Sequence, residues 1–270
     1  MPFQVSSAQI VLGLIAGGTI FLGLPVAVVP QIRAKTSAFL NAVSTGILVY
    51  LLCEIVSECT HEGVKELLAQ AGANPALRNE GLYYAAVFIV GLSIGLLGLV
   101  WFEHMYIRNG KDVEQPPKKT AERVAMMIAI GIGLHNLSEG LAIGQQFSWG
   151  ESHLAVFLAI GFALHNATEG FGIAAPLAGY SPSWGYLTLL GLIGGLPTLI
   201  GAVIGGAFQS RTASILFLAL AAGSILYVIG ELLHLGRKLK GEALAAVGLL
   251  IGFTVAFATS ILLSLAGGPS

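Results

Sequence analysis

GIGLHNLSEGLAIGQQFSWGESHLAVFLAIGFALHNATEGFGIA, residues 131–174, carries one hexad twice, as HNLSEG and HNATEG, in two apolar runs joined by a short polar turn. Leu134/Leu164, His135/His165, Asn136/Asn166, Glu139/Glu169 and Gly140/Gly170 are identical between the copies, and Gly133/Ala163 is small in both. An ionisable side chain within a long apolar helix costs at least a few kcal/mol in a bilayer, so it marks function by default. Here the cost falls on both runs, at matching places.

Outward from this pair, the chain is apolar nearly throughout. Of 270 residues 55% are hydrophobic and 10% charged, with a mean hydropathy of +0.83. A soluble domain carries roughly a quarter charged residues. That much apolar surface fits a bilayer, where a helix of about twenty residues crosses the hydrocarbon. The fold class expected is all-α, a polytopic membrane protein of about eight helices. They are predicted near 7–29, 38–60, 82–107, 121–146, 153–178, 184–207, 212–235 and 242–266, as one transmembrane unit over 1–270. The 36 glycines fall largely inside the spans, where small residues let helices approach closely. Cys53 and Cys59 are expected to be free thiols. The start has no basic leader, so the first apolar segment reads as retained.

Lysine and arginine set the orientation. With the N-terminus outside, the inner loops hold Arg33, Lys35, Arg108, Lys111, Lys118, Lys119, Arg123, Arg237, Lys238 and Lys240. The outer loops hold only Lys65, Arg78 and Arg211. Both termini are therefore expected away from the cytoplasm. An internal match joins STGILVYLLCE, ending at Glu54, to AAGSILYVIGE, ending at Glu231. The first and sixth spans each carry Leu-Pro, at Pro25 and Pro197. These matches predict an inverted 3+2+3 repeat around the two central helices.

The spacing of the hexads sets their chemistry. On a helix, positions i and i+4 share a face, which stacks His135 on Glu139 and His165 on Glu169. Asn136 and Asn166 sit about 100° around from their histidines, able to offer a carbonyl oxygen to the same cleft. Two imidazoles, two carboxylates and two carboxamides then meet near mid-membrane. That set suits a borderline divalent ion such as Zn²⁺, Fe²⁺ or Mn²⁺, whose charge the carboxylates neutralise. Both ligand types bind only when deprotonated. A purely structural reading, in which a buried His or Glu ties neighbouring helices, explains one such residue well and the doubled hexad poorly.

The two hexads resemble the HNxPEG-type signatures of the fourth and fifth helices of ZIP metal transporters. The eight-span layout and the AAGSILYVIGE segment are similar too. The resemblance implies a 3+2+3 bundle, movement of Zn²⁺ or related ions into the cytoplasm by alternating access, and a homodimer. It implies His135, Asn136, Glu139, His165, Asn166 and Glu169 as metal ligands. No catalytic cofactor and no nucleic-acid partner are expected; the partners are metal ions and lipid, in a bacterial inner membrane. Three departures stand out. Ser138 and Thr168 occupy positions where the family usually has proline, and their hydroxyls are expected to bond the preceding turn. Leu196 precedes Pro197 where many members have Glu, so a second, bridged metal is expected to bind poorly or not at all. RNGKDVEQPPKK, 108–119, lacks a His-rich run.

Glu54 and Glu231 are further candidates for the metal or proton path, against a reading as interhelical hydrogen bonds. Glu58, His61 and Glu62 form an acidic end to the second span, read as solvated or as attracting cations. His234, Glu103, His104 and His153 read as interfacial or loop residues. An intramembrane metal-dependent hydrolase is the rival function, and a proton-coupled carrier of an organic solute a second. His61-Glu62 lacks the second His of a zincin pattern, and no Gly-x-Ser-x-Gly elbow stands beside a triad.

Overall fold

The computed structural model describes residues 5–29, 34–60, 64–72, 74–108, 117–150, 152–208, 210–238 and 242–265, and all regular structure among them is helical. In chain order the helices are α1 (Ser7–Gly18), α2 (Ile20–Gly23), α3 (Ala34–Thr60), α4 (Glu66–Ala71), α5 (Pro75–Phe102), α6 (Pro117–Ser148), α7 (Ser152–Ala174), α8 (Trp184–Ile204), α9 (Arg211–Lys238) and α10 (Glu242–Leu265). A 3₁₀ turn, Leu24–Val28, continues α1 and α2, and a π turn, Glu103–Arg108, closes α5. Eight segments are long and apolar enough to cross a membrane: Ser7–Val28, Ala38–Thr60, Pro75–Met105, Pro117–Ser148, Ser152–Leu177, Trp184–Ala207, Arg211–Arg237 and Ala243–Leu262. The chain is an integral membrane protein of the expected class.

Most span boundaries match the expected ones closely. The clearest difference is α5, which begins at Pro75 rather than near 82. Asn74 caps it, its side chain accepting from the Ala76 amide at 3.0 Å, and Pro75 opens the first turn. Hydropathy misses these turns because ALRNEG is polar. The same connector contains α4, too short for an apolar run to signal.

α6 is the most enclosed span, while α5 and α10 are the least and turn Ile94, Leu97, Val100, Leu250 and Val255 outward. Around the central pair, α8 packs on α6, and α1 with α2 packs on α7; α10 lies on α3 and α5 on α9. Glycines set these crossings, and they do so in matched sets. A Cβ at Gly140 of α6 would strike the Thr198 carbonyl, and one at Gly170 of α7 the Ile20 carbonyl. Gly201 lies against Leu137 and Gly140, as Gly23 lies against Ala167 and Gly170. Gly46 meets the Leu249 carbonyl and Gly223 the Leu92 carbonyl; Gly252 meets that of Val43 and Gly95 that of Leu220. One register covers all of them, matching α1 and α2 with α8, α3 with α9, α5 with α10 and α6 with α7.

In that register Pro197 corresponds to Thr19, and Pro25 to Val203. The two Leu-Pro steps stand in different settings. Pro25 opens the 3₁₀ turn after α2, whereas Pro197 sits inside α8. The structural counterpart of Pro197 is Thr19, where the chain is interrupted between α1 and α2.

Candidate metal-binding site

α6 carries His135, Asn136 and Glu139, and α7 carries His165, Asn166 and Glu169. All six side chains are buried, none more than 8% exposed. The two sets meet at His135. Its Nε2 lies 3.2 Å from Oε1 of Glu139 on its own helix and 3.9 Å from Oε1 of Glu169 on the other.

Each asparagine is anchored from behind. Nδ2 of Asn136 donates to the Gly194 carbonyl of α8, and Nδ2 of Asn166 to the Ala16 carbonyl of α1, both at 2.9 Å. Gly194 and Ala16 correspond in the register described above. The carbonyls are within reach because small residues hold these helices together; Gly17 and Gly195 each lie against the other's carbonyl. Oδ1 of both asparagines is buried and accepts no hydrogen bond.

The serine and threonine of the hexads act as expected. The Ser138 hydroxyl donates to the His135 carbonyl and the Thr168 hydroxyl to the His165 carbonyl, each at 2.7 Å. α6 and α7 continue through these positions without a break.

Every ring nitrogen of His135 and His165, every carboxylate oxygen of Glu139 and Glu169, and Oδ1 of both asparagines is buried without a hydrogen-bond partner. An unsatisfied buried polar atom costs roughly 1–3 kcal/mol, and only the 3.2 Å approach of His135 Nε2 to Glu139 Oε1 offsets any of that here. A divalent cation would repay it at the carboxylate and carboxamide oxygens and at one nitrogen of each ring, the other ring nitrogen carrying the proton. Among the described residues no group of three or more His, Cys, Asp or Glu side chains is placed to hold a metal ion. The six side chains stand on two helices, with His135 and Glu139 turned to each other.

Thr198 was missed by the sequence reading. It is buried on α8 with Oγ1 unpartnered, and its carbonyl abuts Gly140. Leu196, the residue compared with the family's Glu, is 44% exposed and points away from the interior. A lone threonine two residues after it carries no signal in the sequence.

The remaining candidates lie elsewhere. Glu54 accepts a hydrogen bond from Tyr50 at 2.9 Å and another from Ser260 of α10, a tie between α3 and α10. Glu231 is partly buried on α9; the hydroxyl of Tyr227, one turn before it, donates to Glu103 at 3.2 Å. Glu58, His104, His153 and His234 are exposed. His61, Glu62, Arg33, Lys111 and Lys240 lie outside the described residues, as does most of the 108–119 segment.

Comparison with known proteins gives the family. The family described as ZIP Zinc transporter matches residues 88–260. Zinc transporter ZupT of Shigella dysenteriae serotype 1 (strain Sd197) is 31% identical over 97% of this chain and 99% of its own length. Zinc transporter ZupT of Escherichia fergusonii is 29% identical over the same shares, and that of Escherichia coli O7:K1 (strain IAI39 / ExPEC) 31%. The matched region contains both hexads, and the relatives extend the likeness over nearly the whole chain: it belongs to the ZIP zinc transporter family.

Proposed function

We propose that this chain moves a divalent cation, zinc first among Zn²⁺, Fe²⁺ and Mn²⁺, across a bacterial inner membrane towards the cytoplasm. His135, Asn136, Glu139, His165, Asn166 and Glu169 hold the ion midway. The observation that carries the reading is the enclosure of all six side chains with their donor atoms unclaimed. Zinc is placed first because the relatives are named zinc transporters; imidazole with carboxylate accepts the other ions too.

The whole chain acts as one transmembrane unit, pairing as a homodimer, with an inverted repeat of three helices on each side of α6 and α7. The matched glycine contacts and asparagine anchors support the repeat. Such a repeat gives two alternative packings of its halves around a fixed site, which is what alternating access requires. Two carboxylates offset the charge of a dication during its passage, and a ligand set divided between two helices lets it leave again. Glu54 and Glu231 flank this path, holding the outer and inner helix contacts as the halves rock.

Uptake into proteoliposomes tests the reading, comparing the wild type with His165→Ala and Glu169→Ala for zinc, iron and manganese. Saturable uptake lost in both variants is expected. Equal behaviour of all three proteins, or tight metal binding without any transport, would overturn it.

A further inference from the structure

Besides the six central side chains, two others among the described residues hold buried atoms without partners: Thr198, which adjoins the central site, and Asn41. Asn41 is 2% exposed on α3. Its Nδ2 donates to the Leu232 carbonyl of α9 at 2.9 Å, and its Oδ1 accepts nothing. Asn136 and Asn166 are held the same way, nitrogen on a neighbouring helix's carbonyl at 2.9 Å and oxygen free. Asn41 is a third buried asparagine fastened through its nitrogen with its oxygen unclaimed.

Its surroundings connect it to the central set. Ser44 lies three residues on, the same face of α3 and about 4.5 Å along the axis. The Ser44 hydroxyl is 2.9 Å from the carbonyl of Thr168, the residue before Glu169, and 3.1 Å from that of Leu40. Gly172 of α7 faces both Ser44 and Leu232, whose side-chain atoms lie 3.5 to 3.7 Å from where its Cβ would stand. Ser44, bonded to the carbonyl of the residue before Glu169, and Asn41 thus form a short polar strip on α3 against α7 and α9. It runs towards the end of the bundle where α3 begins and α9 finishes.

The packing does not demand this strip. In the register that matches α3 with α9, Asn41 and Ser44 correspond to Leu218 and Ala221. There the equivalent surface is apolar, with Ala221 fully buried. A bundle that needed only a tie between helices would not leave a carboxamide oxygen bare, at a cost of roughly 1–3 kcal/mol.

We propose that Asn41 Oδ1 is a relay ligand for the transported divalent ion, receiving it from the Glu169 side of the central set on its way to the α3 N-terminal face. This rests on the transport reading above and adds a site to it. A neutral amide oxygen suits the role: it coordinates a partly hydrated dication without the charge that would trap it.

The test uses the full chain with zinc alone, measuring uptake into proteoliposomes and equilibrium binding in detergent. Asn41→Leu is expected to keep the zinc bound at the central site yet lose about tenfold or more in maximal uptake rate. Asn41→His keeps one ring N–H for the Leu232 carbonyl and offers the second nitrogen to zinc. It is expected to bind one additional ion per chain and to release it slowly. Wild-type uptake separates the two claims. If the wild type moves no zinc, the transport reading fails. If it does, the relay is overturned when Asn41→Leu matches the wild-type rate. It is also overturned when Asn41→His binds no additional ion, because Asn41 is then only a tie between α3 and α9. Should Asn41→Leu fail to fold, the additional ion in Asn41→His decides alone.

Discussion

At the scale of residues, the site is built from side chains whose backs are fastened and whose fronts are bare. Asn136 and Asn166 are fixed through Nδ2, while His135 touches both carboxylates. Imidazole nitrogen and carboxylate oxygen bind a metal only after losing a proton, so protons compete directly with the ion. Zinc uptake is expected to fall steeply as the pH drops from about 7.5 to about 5.5, across the ordinary imidazole range. Initial rates in proteoliposomes, with the internal pH held fixed, check this; a flat profile would remove His and Glu from the ion's path. The six residues stand out in the sequence because the hexad occurs twice at helical spacing, and all six side chains are buried. Asn41 and Thr198 do not stand out, since a single polar residue in an apolar span looks the same whether its oxygen is satisfied or bare. Only neighbours distant in sequence, Leu232 and Gly140, distinguish them.

At the scale of elements, helix approach depends on glycines whose missing Cβ is filled by a neighbour's backbone. Gly140 faces the Thr198 carbonyl and the Ala202 amide nitrogen, which cannot swing aside as a side-chain tip can. Gly140→Ala must push α8 off α6 and is expected to cost roughly 1–3 kcal/mol, the range for overpacking. Gly98 and Gly230, with open space at their Cβ positions, serve as controls and are expected to accept alanine without loss. Thermal unfolding in detergent compares the three variants; equal midpoints would show that the α6–α8 crossing tolerates separation. Sequence predicted the spans well because apolar length is a local property. It failed at the start of α5, where a cap and a proline extend the helix through polar ALRNEG. Nor could it show that Pro25 lies in a 3₁₀ turn and Pro197 inside a helix, since both are Leu-Pro steps.

At the scale of the whole molecule, the bundle is nearly symmetric in its contacts and asymmetric in its charge. The matched crossings do not say which end faces the cytoplasm, since exchanging the halves exchanges the ends. Lysine and arginine break the tie: ten fall in the connectors and helix ends on one side, including Lys118, Lys119, Arg123 and Arg237, against Lys65, Arg78 and Arg211 on the other. Basic loops are retained in the cytoplasm, so we propose that both termini lie outside. The relay proposed at Asn41 depends on the same assignment, because α3 begins and α9 ends on the basic side. Alkaline phosphatase, active only after export, is expected to be active when fused after Leu265 and inactive when fused after Arg108. Green fluorescent protein at the same two junctions is expected to give the reverse. The opposite pattern at both junctions would invert the molecule. Asn41 would then lie between the central site and the outer face, receiving the ion before Glu169 instead of after it.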